Sequence, residues 1–525
     1  MQPAAPATAM RRIALTFGVV LVAIVAKLPE AVLPIGSDTG MFATYGRLLL
    51  HGARPYLDFW DVHPPLVYIY WAAVQVLAGA DRVRAIALAH LLDGAVSLAV
   101  AGFAAAIARR LGSSTGVAAL AAVLTVAFAN LSMFSQEGSS PTKLALLPGV
   151  LAVWAYVGAY DASPNAWRWA LLAGVAGGAA TLGKQPAVLV LVALLGHAAW
   201  QRGHRGWTNL LALLAGAALA LGLSLAYLGW LGVLGAFVDQ VFTYNLERVL
   251  LGYWHSAQGM RAPTIRLDLV VREAAAVLFV MAGVGALAVA FKPDRRVQRV
   301  LLWWAAASTV SIAGFREFEQ IVPCFAILAA VGVERFWRAA GRDGLELGHP
   351  AVGRLALVGF LGTVLALSSG FQVTEMQRAW FERGPGSAPA LSELLALRLR
   401  QEVPAGPLFV WGNAGQLYEL SGRDPASRFL NGEALRATAP NSAASRAQLL
   451  ADLSANPPAA IVLAPHVDQP DLRLADFPDL DAFIRGCYVA AGMTADMARD
   501  WSLYVRSADS ANCRLAGPAK LLARG

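Results

Sequence analysis

Pro64-Pro-Leu-Val-Tyr-Ile-Tyr-Trp-Ala-Ala-Val-Gln-Val-Leu-Ala-Gly-Ala80 is the apolar run on which the topology of the chain turns. It is short for a bilayer crossing, which needs about 20 apolar residues. It opens on two prolines and carries Tyr68, Tyr70 and Trp71 near its start. If it does not cross, Arg11/Arg12, Arg109/Arg110, Arg168, Arg202/Arg205, Lys292/Arg295/Arg296/Arg299 and Arg335/Arg338/Arg342 all fall on one side. The positive-inside rule makes that side cytoplasmic. If it does cross, every later cluster is misplaced. The run therefore reads as a helix lying at or partly entering the outer surface, with its aromatics at headgroup level.

On either side of it lie the runs that do have the length of a span: Ile13 to about Pro34, Arg84 to Ala108, Gly116 to Phe134, Lys143 to Tyr160, Trp167 to Leu182, Gln185 to Trp200, Trp207 to Trp230, Arg272 to Phe291, Val300 to Phe315, Val322 to Trp337 and Val352 to Phe371. That makes about eleven spans in a polytopic α-helical membrane protein. Composition agrees, because 57% of the 525 residues are hydrophobic and 14% charged, against roughly 25% charged in soluble domains. The net charge of +8 is scattered in short clusters between apolar runs, which records orientation rather than nucleic-acid binding. The first run has no small-residue cleavage site after it, so it reads as an uncleaved span and not a signal peptide.

This topology places Ile35 to Val83, Ser135 to Thr142 and Leu231 to Val271 outside, and exports everything after Phe371. The exported tail, residues 372–525, mixes Pro, Asp, Ser and Arg with short apolar runs. Pro407 to Trp411 and Ala459 to Leu463 read as buried strands, and Ala414 to Leu420 and Ser445 to Leu453 as helices, giving a small α/β domain. Residues 1–371 then form the transmembrane domain. Cys324, Cys487 and Cys513 have no metal-ligand spacing. Cys487 and Cys513 share an oxidising space, where a disulfide and two unpaired cysteines are both open.

Charge near a bilayer is expensive, so acids concentrated on one face point to a site. Asp38, Asp58, Asp61, Glu137, Asp239, Glu247 and Asp268 are all in the outer loops. Asp38 stands where the first span leaves the membrane, ahead of a helix that Gly52 would end. Capping that helix is its bland role, but Asp58, Asp61 and His63 on the same loop favour function. Asp61 has a structural alternative, pairing with Arg54 or Arg47. Lys27 and Glu30 read as an internal ion pair of the first span. Lys184 can snorkel.

Asp38, Tyr45, Gly52, Pro55-Tyr56, Asp58 and His63-Pro-Pro-Leu66 together resemble the first outer loop of the GT-C membrane glycosyltransferases, family 39 type. That family includes the lipid A aminoarabinose transferase and relatives of protein O-mannosyltransferases. The resemblance continues in Gly183-Lys-Gln-Pro186, Arg316-Glu-Phe-Glu-Gln-Ile-Val-Pro323, Val410-Trp-Gly412, Tyr418, Ser421-Gly-Arg423 and Pro425. It implies sugar transfer from a polyprenyl-phosphate donor to a lipid, glycan or protein acceptor at the outer, periplasmic face of a bacterial inner membrane.

In that chemistry a carboxylate takes the acceptor's hydroxyl proton, and Asp38 is the candidate base. The leaving phosphate needs cations, for which Arg316, His63 and Lys184 are the candidates. Glu137, Asp61 and Asp58 are candidates for a second carboxylate that orients the acceptor or, with Glu137, holds a divalent cation, and Glu137 reads equally as a solvated loop residue. Two positions depart from the family pattern. His63 stands where relatives often have Lys, and Gln320-Ile321 where many have His-Tyr.

The aromatic loop Leu231 to Val271, with Phe237, Phe242, Tyr244, Tyr253, Trp254, Arg248 and Arg261, reads either as a lid over the donor or as an interfacial helix. Two other classes of function compete with transfer. A transporter for lipid-linked sugars would show repeated halves and ionisable residues at mid-membrane, whereas this sequence shows no such repeat and places most of its ionisable residues at the outer surface. A non-catalytic assembly partner would use the exported domain to bind other proteins.

Overall fold

A computed structural model of the chain describes residues 18–21, 23–24, 35–79, 81–130, 139–161, 165–201, 203–247, 275–291, 296–315, 319–342, 391–464, 472–492 and 501–507. In chain order its longer elements are α1 (Ser37–Leu50), α2 (Leu66–Leu77), α3 (Arg82–Arg110), α4 (Thr115–Ala129), α5 (Pro141–Asp161), α6 (Ala166–Gly183), α7 (Val188–Trp200), α8 (Gly203–Trp230), α9 (Ala275–Phe291), α10 (Val300–Phe315), α11 (Val322–Arg342), α12 (Leu391–Gln401), β1 (Leu408–Trp411), α13 (Gln416–Ser421), α14 (Ser442–Ala455), β2 (Ala460–Leu463), α15 (Pro478–Cys487), β3 (Tyr488–Ala490) and β4 (Ser502–Arg506). They divide into two compact units. A membrane-helix unit comprises Met1–Leu33, Ala87–Tyr227 and Arg261–Gly384, and a second unit Pro34–Ile86, Leu228–Met260 and Pro385–Gly525.

The apolar runs from Arg84 to Trp337 fall on α3 to α11. Among the described residues three helices are long and apolar enough to cross a membrane: Arg82–Arg110, Pro141–Asp161 and Arg205–Trp230, with mean hydropathies of 1.9, 1.4 and 2.1. The expected first span is described only in part, and Val352 to Phe371, Lys27 and Glu30 lie outside the described residues.

Apolar helices in lipid gain little by hiding apolar surface from one another, so they associate by close approach at small residues. A Cβ on Gly174 would lie 2.1 Å from the Leu213 carbonyl oxygen, and one on Gly216 2.2 Å from that of Leu171. Backbones of α6 and α8 therefore touch. Gly285 does the same for α9 and α11, where a Cβ would lie 1.8 Å from the Leu328 carbonyl oxygen.

The membrane-helix unit also buries charge. Lys143, in the first turn of α5, is 1% exposed. Its Nζ donates to the Ala129 carbonyl (3.2 Å) and to Asn130 Oδ1 (2.9 Å), both at the end of α4. It lies 3.3 Å from Glu319 Oε1, just before α11, and 3.8 Å from Asp93 Oδ2 on α3. One ammonium thus ties together one end of three helices and the flank of a fourth.

The second unit is built from segments far apart in sequence. Its sheet has the order β1-β2-β4-β3, with β1 and β2 parallel (Leu408 beside Ala460, Trp411 beside Leu463) and β4 antiparallel to both neighbours. Strands read at 407–411 and 459–463 are β1 and β2. β3, three residues long, is too short to show a two-residue alternation. Cys487, at the end of α15, is disulfide-bonded, and Cys513 lies outside the described residues.

α1 starts from an extended Gly36 with no side-chain cap and ends as expected at Gly52, whose φ is 88°. Its first turns lie directly on α13: a Cβ on Gly40 would be 2.3 Å from Gln416 Cα, and one on Gly415 2.7 Å from Met41 Cβ. Ser37 Oγ donates to Asn413 Oδ1 (2.8 Å) and accepts the Gly415 N–H (3.1 Å). Farther along, Arg47 bonds Asp424 and lies 3.7 Å from Glu419, whose other oxygen is 3.8 Å from Arg82. Glu419 is buried, and burial raises its pKa against the opposing pull of Arg47 and Arg82.

The sequence reading of α2 needs one correction. Tyr68 and Trp71 do not face headgroups: they are 1% and 0% exposed inside the protein, where Trp71 packs on Gly46 of α1. A glycine there lets the two helices meet closely enough to swallow the indole.

Three expectations follow. Gly40→Ala forces α1 off α13 and should cost about 1–3 kcal/mol of stability, seen as a lower thermal midpoint in detergent. Lys143→Met strands two buried carboxylates, a loss of about 3–5 kcal/mol, and adding Asp93→Asn with Glu319→Gln should recover most of it. Because folding raises the Glu419 pKa above its ordinary 4.5, that group's contribution is fully present below 4.5 and lost as pH rises through the raised value. The thermal midpoint of wild type minus that of Glu419→Gln should therefore fall as pH rises above 4.5.

Candidate active site

The loop between α1 and α2 is organised around Asp61, whose side chain is fully buried. A carboxylate at that depth must have its lone pairs filled. Oδ1 accepts the Val62 N–H (2.8 Å) and lies 3.0 Å from His63 Nδ1, while Oδ2 accepts the Tyr68 hydroxyl (2.7 Å). The pairing of Asp61 with Arg54 or Arg47 is thus corrected. Arg54 instead binds Asp58, through its backbone N–H (2.7 Å) and its guanidinium (3.2 Å), and Arg47 goes to Asp424 and Glu419. Burial acts against ionisation of Asp58, but the bonds from Arg54 prevail and lower its pKa. Asp58 therefore latches the loop at the surface.

With Nδ1 directed at Asp61, the His63 ring has its tautomer and orientation set, which leaves Nε2 for other partners. Aromatic residues wall the loop. Tyr45 stacks on Phe59 (4.4 Å between centroids), Tyr68 packs edge-on to both, and Phe42 meets the His63 ring edge-on at 5.1 Å. Burial, aided by the Asp61 charge, pushes the Tyr45, Tyr56 and Tyr68 phenols well above their ordinary pKa. They remain neutral and serve as hydrogen-bond donors: Tyr45 to the Trp60 carbonyl (2.8 Å) and Tyr56 to the His63 carbonyl (2.9 Å).

Asp38 lies in the first turn of α1 and is exposed. It does not occupy the N-cap, which is Gly36, so the bland capping role is not the one it plays. Phe42 and Tyr45 follow it by four and seven residues and share its helix face. The Asp38 charge is felt at Tyr45, and Phe42 touches His63. A solvent-accessible carboxylate thus stands one turn from an oriented imidazole's aromatic wall.

Of the residues singled out in the sequence, Asp38, Asp58, Asp61 and His63 belong to the second unit. Lys184 belongs to the membrane-helix unit, half-buried in the extended break between α6 and the turn Gln185–Ala187. Glu137 and Arg316 lie outside the described residues. Gln320 and Ile321, at the departure from the family pattern, are buried. Among the described residues no group of three His, Cys, Asp or Glu could hold a metal ion. In the aromatic loop, Phe237 and Tyr244 are buried, Tyr244 against Trp60, while Phe242 is exposed. Tyr253, Trp254, Arg248 and Arg261 lie outside the described residues.

Three site residues escaped the sequence reading. Tyr68 reads from the sequence as an interfacial aromatic. Gln240 and Arg428 both bond the Tyr56 carbonyl, Gln240 at 2.7 Å, from 184 and 372 residues away, a distance over which sequence carries no signal.

Comparisons with known proteins bear on this arrangement. Residues 62–230 match the family described as dolichyl-phosphate-mannose-protein mannosyltransferase. A comparison with curated protein sequences finds no match. Among solved structures, the chain is similar to the Archaeoglobus fulgidus oligosaccharyltransferase in the apo form, with 10% identity, a TM-score of 0.60, and coverage of 95% of this chain and 74% of that one. It is similar to ArnT from Cupriavidus metallidurans bound to undecaprenyl phosphate, with 17% identity, a TM-score of 0.54, and coverage of 97% and 100%. It also resembles the arabinofuranosyltransferase AftD from Mycobacteria, with 17% identity, a TM-score of 0.52, and coverage of 94% of this chain but 42% of that one. The family resemblance carried by the loop between α1 and α2 and these structural likenesses lead to one conclusion: the chain is a membrane protein with the fold of the GT-C glycosyltransferases.

Proposed function

We propose that the chain transfers a sugar from a polyprenyl-phosphate donor to a hydroxyl of a lipid, glycan or protein acceptor, at the periplasmic face of a bacterial inner membrane. The N-terminus is then cytoplasmic, and residues 372–525 are periplasmic. The observation that carries this reading is the exposed Asp38 on the helix face that runs into Phe42, Tyr45 and His63.

In the transfer, the acceptor oxygen bonds to the anomeric carbon as the bond from that carbon to the phosphate oxygen breaks. Asp38 takes the hydroxyl proton, and the polyprenyl phosphate leaves carrying the electron pair. A leaving phosphate is already anionic, so it needs cations and hydrogen-bond donors more than an acid. His63, oriented by Asp61, is a candidate contact as an imidazolium whose second N–H faces the phosphate, and Arg316 and Lys184 are the other cationic candidates. Glu137 and Asp58 are the candidates for a second carboxylate, Glu137 with a divalent cation. Structural neighbours support a lipid phosphate as the donor's leaving group: ArnT from Cupriavidus metallidurans was solved with undecaprenyl phosphate, and the archaeal oligosaccharyltransferase with dolichol phosphate.

Asp38→Asn keeps the size of the side chain and removes the base. With an undecaprenyl-phosphate-linked sugar as donor, turnover should fall by about 10²–10⁴-fold, while binding of undecaprenyl phosphate and the thermal midpoint stay near wild type. Near-normal turnover would remove Asp38 from the role of base.

A further inference from the structure

The segment Leu234 to Glu247 is one helical run whose middle, Val238–Thr243, is a π-helical turn. Such a turn inserts an extra residue, so positions five apart come onto one face where an ordinary helix would align three or four. Gln240 and Asn245 are that pair. The Gln240 amide is buried and used at both ends: its Oε1 accepts the Asp61 N–H (3.2 Å) and its Nε2 donates to the Tyr56 carbonyl (2.7 Å). Asn245 Nδ2 donates to the Val62 carbonyl (3.1 Å).

Tyr56 needs that grip. Its φ is 68°, a left-handed conformation that a bulky residue adopts only when its surroundings over-determine it. Its hydroxyl donates to the carbonyl of His63. Gln240 therefore holds both ends of the stretch that ends at the imidazole: Tyr56, which supports the His63 backbone, and Asp61, which aims the His63 ring. Stability alone is a poor account of this, since a strained tyrosine and a π turn each disfavour the fold.

We propose that Gln240 is a positioning residue for donor binding. It fixes Asp61, and through Asp61 the His63 imidazole, in the orientation that meets the donor's phosphate. This rests on the reading of His63 as a phosphate contact. Gln240 itself touches no substrate. It couples the third outer segment to the first, so the aromatic loop acts as a fixed buttress at this point.

The test is a double-mutant cycle on the full-length protein in detergent, with undecaprenyl phosphate as the probe ligand. Gln240→Leu and His63→Ala should each weaken its binding by about tenfold. The double variant should bind no worse than His63→Ala alone, because the two residues act as one. The Michaelis constant for the lipid-linked sugar should rise in parallel for Gln240→Leu, with turnover at saturation within about threefold of wild type. Additive losses, or unchanged binding by Gln240→Leu, overturn the proposal. Should the leucine variant not fold, Gln240→Glu carries the same cycle, since it still accepts the Asp61 N–H but cannot donate to Tyr56. A wild-type protein that fails to bind undecaprenyl phosphate overturns the donor reading itself, which separates the two failures.

Discussion

The second unit depends on one steric constraint, the gap between the start of α1 and the start of α13. Neither Gly40 nor Gly415 can accept a single carbon more, and Ser37 stitches the two backbones together across that gap. Two helix ends in backbone contact cannot slide or rotate freely past one another. The direction of α1 is therefore set at its first turn by residues almost four hundred positions later in the chain. Asp38 sits within that turn, and the face that follows it carries Phe42 and Tyr45 to the histidine loop. Arg47 secures the other end of the helix on Asp424 and Glu419.

Charge is buried in both units, and each case is resolved differently. Lys143 is surrounded by carbonyl, amide and carboxylate oxygens from α3, α4 and the entry to α11, so a single ammonium organises several helices. Glu419 lies between two guanidiniums and is still disfavoured as an anion, because its burial outweighs them. Asp61 is served almost entirely by near neighbours in sequence, Val62, His63 and Tyr68. Local partners of this kind make a compact, preformed acceptor that holds a ring in place without needing a counter-charge of its own.

What could be read from the sequence follows the range of the interactions involved. Apolar runs determine helices locally, and α3 to α11 stand where the runs lie. The loop containing Asp38, Asp58, Asp61 and His63 was legible as a cluster because its members are close in sequence. Partner assignments within it were less so: Arg54 took Asp58 because a four-residue spacing closed that pair, and Asp61 was filled by a histidine and a phenol. Tyr68 and Trp71 were misplaced because an aromatic-rich amphipathic run looks alike whether it faces lipid headgroups or a protein core. Only the close approach at Gly46 distinguishes the two. Gln240 and Arg428 were invisible because their roles exist only after distant segments have met.

The second unit draws on three separate stretches of chain, the last ending beyond Arg506. That gives the histidine loop and α1 an extreme contact order, with partners 372 and 378 residues later in the chain. During translation the early segment must wait, Trp60 still uncovered, until β1, α13 and the Arg428 stretch emerge. Such waiting surfaces invite chaperones and proteases. A chain that stops before α13 would therefore leave an unassembled acid and imidazole, so assembly of the candidate site requires synthesis to have passed Arg428.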